Sequence, residues 1–164
     1  MLEWSDVQTV DGLKLRMVAS TSGIRAIEFH RAGAAEGPPG AIHNQENRLL
    51  AETWAQLLAY FAGHLRQFQV PLDMQGTSFQ LRVWRQLGTI PYGETRSYRQ
   101  IATAIGSPAA VRAVGAANGA NPIPIVVPCH RVIGASGKLV GYGGGLPLKK
   151  RLLELEGALT MPLD

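Results

Sequence analysis

The single cysteine of the chain, Cys129, lies in the stretch IPIVVPCHRVIG, residues 123–134, between Pro128 and His130-Arg131. A thiol beside an imidazole can be a nucleophile with its base. A neutral histidine can take the thiol proton through a bridging water, and a cationic one stabilises the thiolate electrostatically. With a carboxylate to orient the ring, the thiolate is expected to be favoured over that of an ordinary cysteine. Two carboxylates qualify, Glu154 and Glu156, at the end of LPLKKRLLELEG. Spacing does not choose between them. Adjacent residues on an extended chain face opposite ways, so sequence adjacency does not itself place the ring on the sulfur. The competing fate of a lone thiol is that of a small buried hydrophobe.

Chemistry of this kind needs elements to hold it. Ile123, Ile125, Val126 and Val127 read as a short buried strand ending at the thiol. Upstream, Phe79, Val83, Trp84 and Leu87 share one helical face. After the turn IPYGE, Ser97-Tyr98-Arg99-Gln100 has the capping-box pattern of a helix start, and Gly106 ends that helix. Ser107-Pro108 then predicts an N-cap and first helical residue for AAVRAVGAANG. Two helices across a tight turn form a helix-turn-helix. The second offers small residues and one long cation, Arg112. That composition suits close approach to a minor groove with one inserted side chain, not base reading in the major groove. The glycine-rich run Gly141–Gly145 follows Val140, whose stiff side chain either faces a pocket or anchors the loop in the core.

The first half reads differently. Residues 13–18 alternate like a half-buried strand, and Ile24–Phe29 is its partner across the turn at 20–23. Residues 31–44 are a Gly-, Ala- and Pro-rich loop. Leu49, Leu50, Trp54, Leu57, Leu58 and Phe61 mark a helix, and residues 69–77 link the halves. The expected organisation is α/β (α+β). A small strand-rich α/β domain, residues 1–75, precedes a mostly helical domain, residues 76–164, with the helix-turn-helix and a short active-site strand. The first segment carries six Lys/Arg against eight Asp/Glu, and the second ten against four. A basic second half fits a polyanionic partner. One cysteine excludes an internal disulfide, no cluster has metal-ligand spacing, and no cofactor motif is present. The N-terminal MLEWSDVQTV lacks the pattern of a signal peptide, and no apolar run reaches membrane-spanning length, so a cytoplasmic monomer is expected.

Three blocks, IPYGETRSYRQIA, AAVRAVGAANGANPIPIVVPCHRVIG and GYGGGLPLKKRLLELEG, resemble in order and spacing the O6-alkylguanine-DNA alkyltransferases, the methylated-DNA–protein-cysteine methyltransferases. The resemblance runs from about Phe79 to Gly157 and is loose before residue 75. It implies that Cys129 accepts an alkyl group from O6 of a flipped guanine. His130 would be the water-bridged base, and Glu156, directly before the helix-ending glycine, would fix the imidazole. Asn121 would brace the active-site strand against the DNA-binding helix. Tyr98 would donate to N3 of the guanine, and Arg112 would fill the gap in the base stack. The carbonyls of Cys129 and Val132 would read the exocyclic amine, while Tyr142, Gly143 and Gly144 close over O6. Arg99, Ser107 and Ala135 would contact DNA. The implied partner is double-stranded DNA, entered through the minor groove without sequence specificity and open to cooperative binding. Gly143 lies where some relatives carry serine, so side-chain help to O6 is absent there. A thioether is stable and nothing in the sequence regenerates the thiol, so each molecule would act once.

Two other readings compete. A helix-turn-helix regulator with an inert thiol is opposed by the alanine-rich second helix. A Cys-His hydrolase would require an oxyanion site that the glycine run supplies poorly.

Overall fold

The computed structural model describes residues 1–34 and 36–158. Two compact units divide the chain, Met1–Gln75 and Gly76–Asp164, and residues 159–164 of the second lie outside the described residues.

In the first unit a four-stranded sheet has the order β3-β2-β1-β4, from β1 (Glu3–Gln8), β2 (Lys14–Ala19), β3 (Ile24–Glu28) and β4 (Ile42–His43). β2 runs antiparallel to both neighbours, and β4 adds to β1 in parallel. Helix α1 (Arg48–Phe61) starts at Asn47, whose side chain accepts the Leu50 N–H. Its Leu50, Leu57 and Tyr60 are buried, as are Leu15, Met17 and Ile27 of the sheet.

One expectation for this unit is corrected. The strand expected to be half-buried is buried at five of six positions, because Arg16 also turns inward. Its guanidinium is satisfied by Asp6 at 2.8 and 3.0 Å and by the carbonyls of Ala34 and Glu36 at 2.8 Å, with the Trp4 ring 4.0 Å away. A cation paired at every nitrogen can be buried where a bare one cannot. The boundary between the units falls within the expected link, residues 69–77, and the part of that link before it is tied to the first unit. Pro71 and Asp73 pair with Ile24, and the Asp73 carboxylate collects Ser20, Arg25 and Gln75, which hold its pKa down at about 2.

The second unit contains α2 (Ser78–Leu87), β5 (Arg96–Ser97), α3 (Tyr98–Ala104), α4 (Val111–Gly119), β6 (Val132–Ile133) and α5 (Leu146–Leu155). Helix α2 packs on α3 and α4, and Trp84 donates its indole N–H to the carbonyl of Ala117 at 2.8 Å. The Ser97–Gln100 capping box is formed in both directions, and Gly106 leaves α3 at φ 78°. Glycine takes that left-handed conformation without the penalty of a Cβ.

Helix α4 begins later than the sequence predicts. Ser107 and Pro108 form a turn closed by Ala110 N–H to Ser107 O, and the N-cap is Ala110, which makes no side-chain cap. The expected strand at 123–127 is also absent. Pro124 removes a ladder donor from its middle, Pro122 and Pro128 flank it, and Ile125 stands at φ 73° in a tight turn. The short strand of the site follows the thiol instead: β6 pairs in parallel with β5, Val132 opposite Arg96.

Candidate active site

Asn121 organises the turn before the thiol. Its side-chain oxygen accepts Ile123 N–H at 3.0 Å, and its amide nitrogen donates to Val127 O at 2.8 Å. The chain then closes a single 3-10 turn, Cys129–Arg131, all three residues of which are buried. This turn, not an extended strand, orients Cys129 and His130 and places both side chains in the interior.

Behind the thiol lies a buried polar chain. His130 is fully buried, with Nε2 2.8 Å from Oε2 of Glu156. The same carboxylate accepts Nε of Arg131 at 2.7 Å and a terminal nitrogen at 3.0 Å, and Arg131 also donates to Ile90 O at 2.7 Å. Glu154 lies apart, half-exposed and 3.9 Å from Lys150. An ionised carboxylate only accepts, so Nε2 of His130 carries the proton and Nδ1 is the basic atom. Nδ1 is buried and has no hydrogen-bond partner among the described residues.

The electrostatics reverse one expectation. Burial, opposed by the Asn121 hydrogen bond and the charge of Lys149, raises the Cys129 thiol above its ordinary pKa. Burial likewise lowers that of His130, against the pull of Glu156, and Arg131 and Lys149 add to the lowering. The DNA-free protein therefore holds a neutral thiol and a neutral imidazole. The expected thiolate does not form there because desolvation exceeds the help from neighbours.

Tyr98 opens α3 and donates its hydroxyl to Val140 O at 3.2 Å. Burial raises its pKa. Tyr98, Val111, Gly115, Val140 and Gly141 line a cavity of about 360 Å³. Val140 is 48% exposed, so it belongs to the cavity rim and not to the core. Burial pushes the Tyr142 hydroxyl well above its usual value. Gly143 is exposed and Gly144 half-buried in the same loop.

Lys149 was missed by the sequence reading. It is fully buried, and its ammonium donates to Val132 O at 2.7 Å, Val140 O at 3.2 Å and Gly141 O at 3.4 Å. It thus ties β6, carrying one of the expected base-reading carbonyls, to the loop over the cavity. Burial lowers its pKa to about 8. The signal was available: Lys149, Leu152, Leu153 and Glu156 share one helical stripe, and all four are buried. The expected DNA-contacting residues line the surface separately. Arg112 is exposed on α4 beside Val111, Arg99 is exposed on α3, Ala135 is exposed in the turn after β6, and Ser107 is half-buried in the link between the helices.

Residues 78–158 match the 6-O-methylguanine DNA methyltransferase DNA binding domain, and residues 14–74 match the ribonuclease-like domain of the same proteins. The methylated-DNA–protein-cysteine methyltransferase of Mycolicibacterium paratuberculosis is 58% identical over 142 residues, 87% of this chain and 78% of that protein. The chain belongs to the 6-O-methylguanine DNA methyltransferase family. The methylated-DNA–protein-cysteine methyltransferase of Methanosarcina acetivorans is 50% identical over 87% of this chain and 90% of its own. The crystal structure of Mycobacterium tuberculosis OGT in complex with DNA superposes with a TM-score of 0.84 at 48% identity, covering 94% of this chain and 92% of that one. The methyltransferase DNA binding domain match spans every site residue described above, from Tyr98 to Glu156. Among the described residues no helix is long and apolar enough to cross a membrane.

Proposed function

We propose that this methyltransferase repairs DNA by direct reversal, moving the alkyl group from O6 of guanine to Cys129 in a single irreversible step. The observation that carries the reading is the buried chain Arg131–Glu156–His130 beside the one thiol, in a protein of this family. An alkyl group on O6 faces into the duplex, so the nucleotide must leave the stack. Helix α4 enters the minor groove, and Arg112 takes the vacated place. The flipped base enters the Tyr98–Val140 cavity, where Tyr98 exchanges its bond to the Val140 carbonyl for one to N3 of guanine.

Cys129 gives its proton through a water to Nδ1 of His130. Glu156 stabilises the imidazolium that forms, and Arg131 keeps the carboxylate in place. Asn121 and Lys149 offset the thiolate charge. The sulfur attacks the carbon bonded to O6; the S–C bond forms as the C–O bond breaks, and the electron pair stays on O6. The Tyr98 hydrogen bond offsets that charge, and the proton held by His130 balances release of the base. A desolvated thiolate is a stronger nucleophile than a solvated one, so burial serves the reaction once the proton has a destination. The cytoplasm, a reducing compartment, keeps the lone thiol available.

Intact mass after mixing with an O6-methylguanine duplex tests the reading. One methyl group per molecule should appear, on Cys129, and Cys129→Ala should gain none while still binding DNA. Transfer beyond one equivalent would overturn the single-use step.

A further inference from the structure

The loop over the base cavity has a second cavity, of about 690 Å³, against it. Leu139 lines this one while its neighbour Val140 lines the base cavity, so the loop is a wall between the two. Leu139, Leu146 and Pro147 give the second cavity an apolar floor, and Leu146 is 44% exposed. Lys138 and Lys150 supply its charge, and among the described residues no acid lines it. Glu154 reaches Lys150 only at 3.9 Å, a surface pairing worth little against a better anion. The wall itself is closely built. Gly134 N–H donates to Lys138 O at 2.8 Å, and Gly137 N–H donates to Gly134 O at 2.9 Å. A Cβ at Gly134 would stand 3.2 Å from both Lys138 O and a methyl of Val140, so the turn closes this tightly on glycine. Buried Lys149 holds the same segment through the carbonyls of Val140 and Gly141. Lys138 is therefore an exposed cation on a fixed backbone.

We infer that the second cavity binds the sugar–phosphate backbone flanking the flipped nucleotide, with phosphate at Lys138 and Lys150 and deoxyribose on Leu139, Leu146 and Pro147. The inference rests on the repair reading above. Two cations over an apolar floor match a strand in which charged phosphates alternate with largely apolar sugars. The strand is also in the right place. A base seated on one side of a wall one loop thick keeps its own backbone at the rim, within reach of the other side. Contacts of this kind position the strand and carry no sequence information, which suits a protein that meets its lesion in any context. They also act on the covering loop, because residues 138 and 140 belong to one closed turn.

Affinity for a short O6-methylguanine duplex is measured across a range of salt concentrations in Cys129→Ala, so that binding is read without transfer. Adding Lys138→Gln and Lys150→Gln together should flatten the slope of log affinity against log salt by about two, about one for each lysine. Affinity at about 0.1 M salt should fall by about tenfold or more. With Cys129 in place, the same pair of substitutions should leave the reaction with free O6-benzylguanine, which has no backbone, within about twofold of the unmodified rate. An unchanged slope overturns the inference, and so does an equal flattening by Lys14→Gln, which removes a charge from the first unit. Loss of the free-base reaction would mean that the loop has collapsed. The single change Lys138→Gln, at an exposed side chain, then decides: a slope flatter by about one supports the site, and an unchanged slope overturns it. Failure of Cys129→Ala itself to bind the duplex would instead break the repair reading.

Discussion

Glu156 accepts three hydrogen bonds in a fully buried setting, while Glu154, two residues earlier, meets only a distant lysine at the surface. Glu156→Gln would turn an amide N–H₂ toward groups that are themselves donors, leaving Arg131 or His130 unpaired. It should slow alkyl transfer on the order of a hundredfold in a single-turnover assay, with DNA affinity retained. Glu154→Gln should change the rate by less than about twofold, as surface substitutions do; the reverse ranking would mean that the His130 contact is not the productive one. Burial of the thiol gives a second expectation. In the DNA-free protein, iodoacetamide should modify Cys129 more slowly than a model cysteine peptide, and the rate should keep rising past pH ~8.5, where the peptide levels off. A plateau at neutral pH would instead reveal a preformed thiolate. The sequence displayed both carboxylates and the His-Cys neighbours, yet it misdirected the thiol's ionisation. Adjacency names the partners, whereas desolvation depends on what every other segment packs around them.

Much of the architecture was legible where a signal is local. The Ser97–Gln100 capping box and the Gly106 stop are short-range patterns, and both ends of α3 follow them. The apolar run 123–127 misled because apolar residues suit a buried turn as well as a strand, and the prolines decide between them. Ser107-Pro108 has the composition of a helix start, yet those residues close a turn and α4 begins at Val111. The loop 138–145 is held from two sides: by Tyr98 at its rim, through a hydrogen bond that the base can displace, and by buried Lys149 beneath. Val140 stands half-exposed at the rim of the cavity, and the proposal that it gates entry is tested by lesion size. On that reading a benzyl group must push its branched side chain aside, at a cost of about 1–3 kcal/mol where the loop resists the movement. Val140→Gly should speed reaction with free O6-benzylguanine by roughly ten- to a hundredfold while leaving methyl transfer little changed. An unchanged or slower benzyl rate in a folded variant would return Val140 to the scaffold.

At the scale of the whole molecule, the charge is divided between the two halves: the first is mildly acidic and the second modestly basic. Phosphate attraction from such a surface is independent of sequence and falls steeply with salt, as suits a protein that must scan DNA for rare lesions. Attraction alone does not extrude a base. Arg112 is exposed near the start of α4, next to cavity-lining Val111, and on the proposed reading a nucleotide entering the cavity would leave its gap beside this side chain. A planar guanidinium can stack on the exposed neighbours and reach their edges, whereas an ammonium supplies charge without a flat face. Arg112→Lys keeps the charge and should leave the salt dependence of DNA binding nearly unchanged. Repair of O6-methylguanine in duplex DNA should fall about tenfold or more, while repair in a single strand, where no stack has to be held open, should fall by less than about twofold. Comparison of single-turnover rates on the two substrates decides the matter. Equal losses on both would make Arg112 a phosphate contact, and the opening of the duplex would then have to come from another residue of the helix-turn-helix.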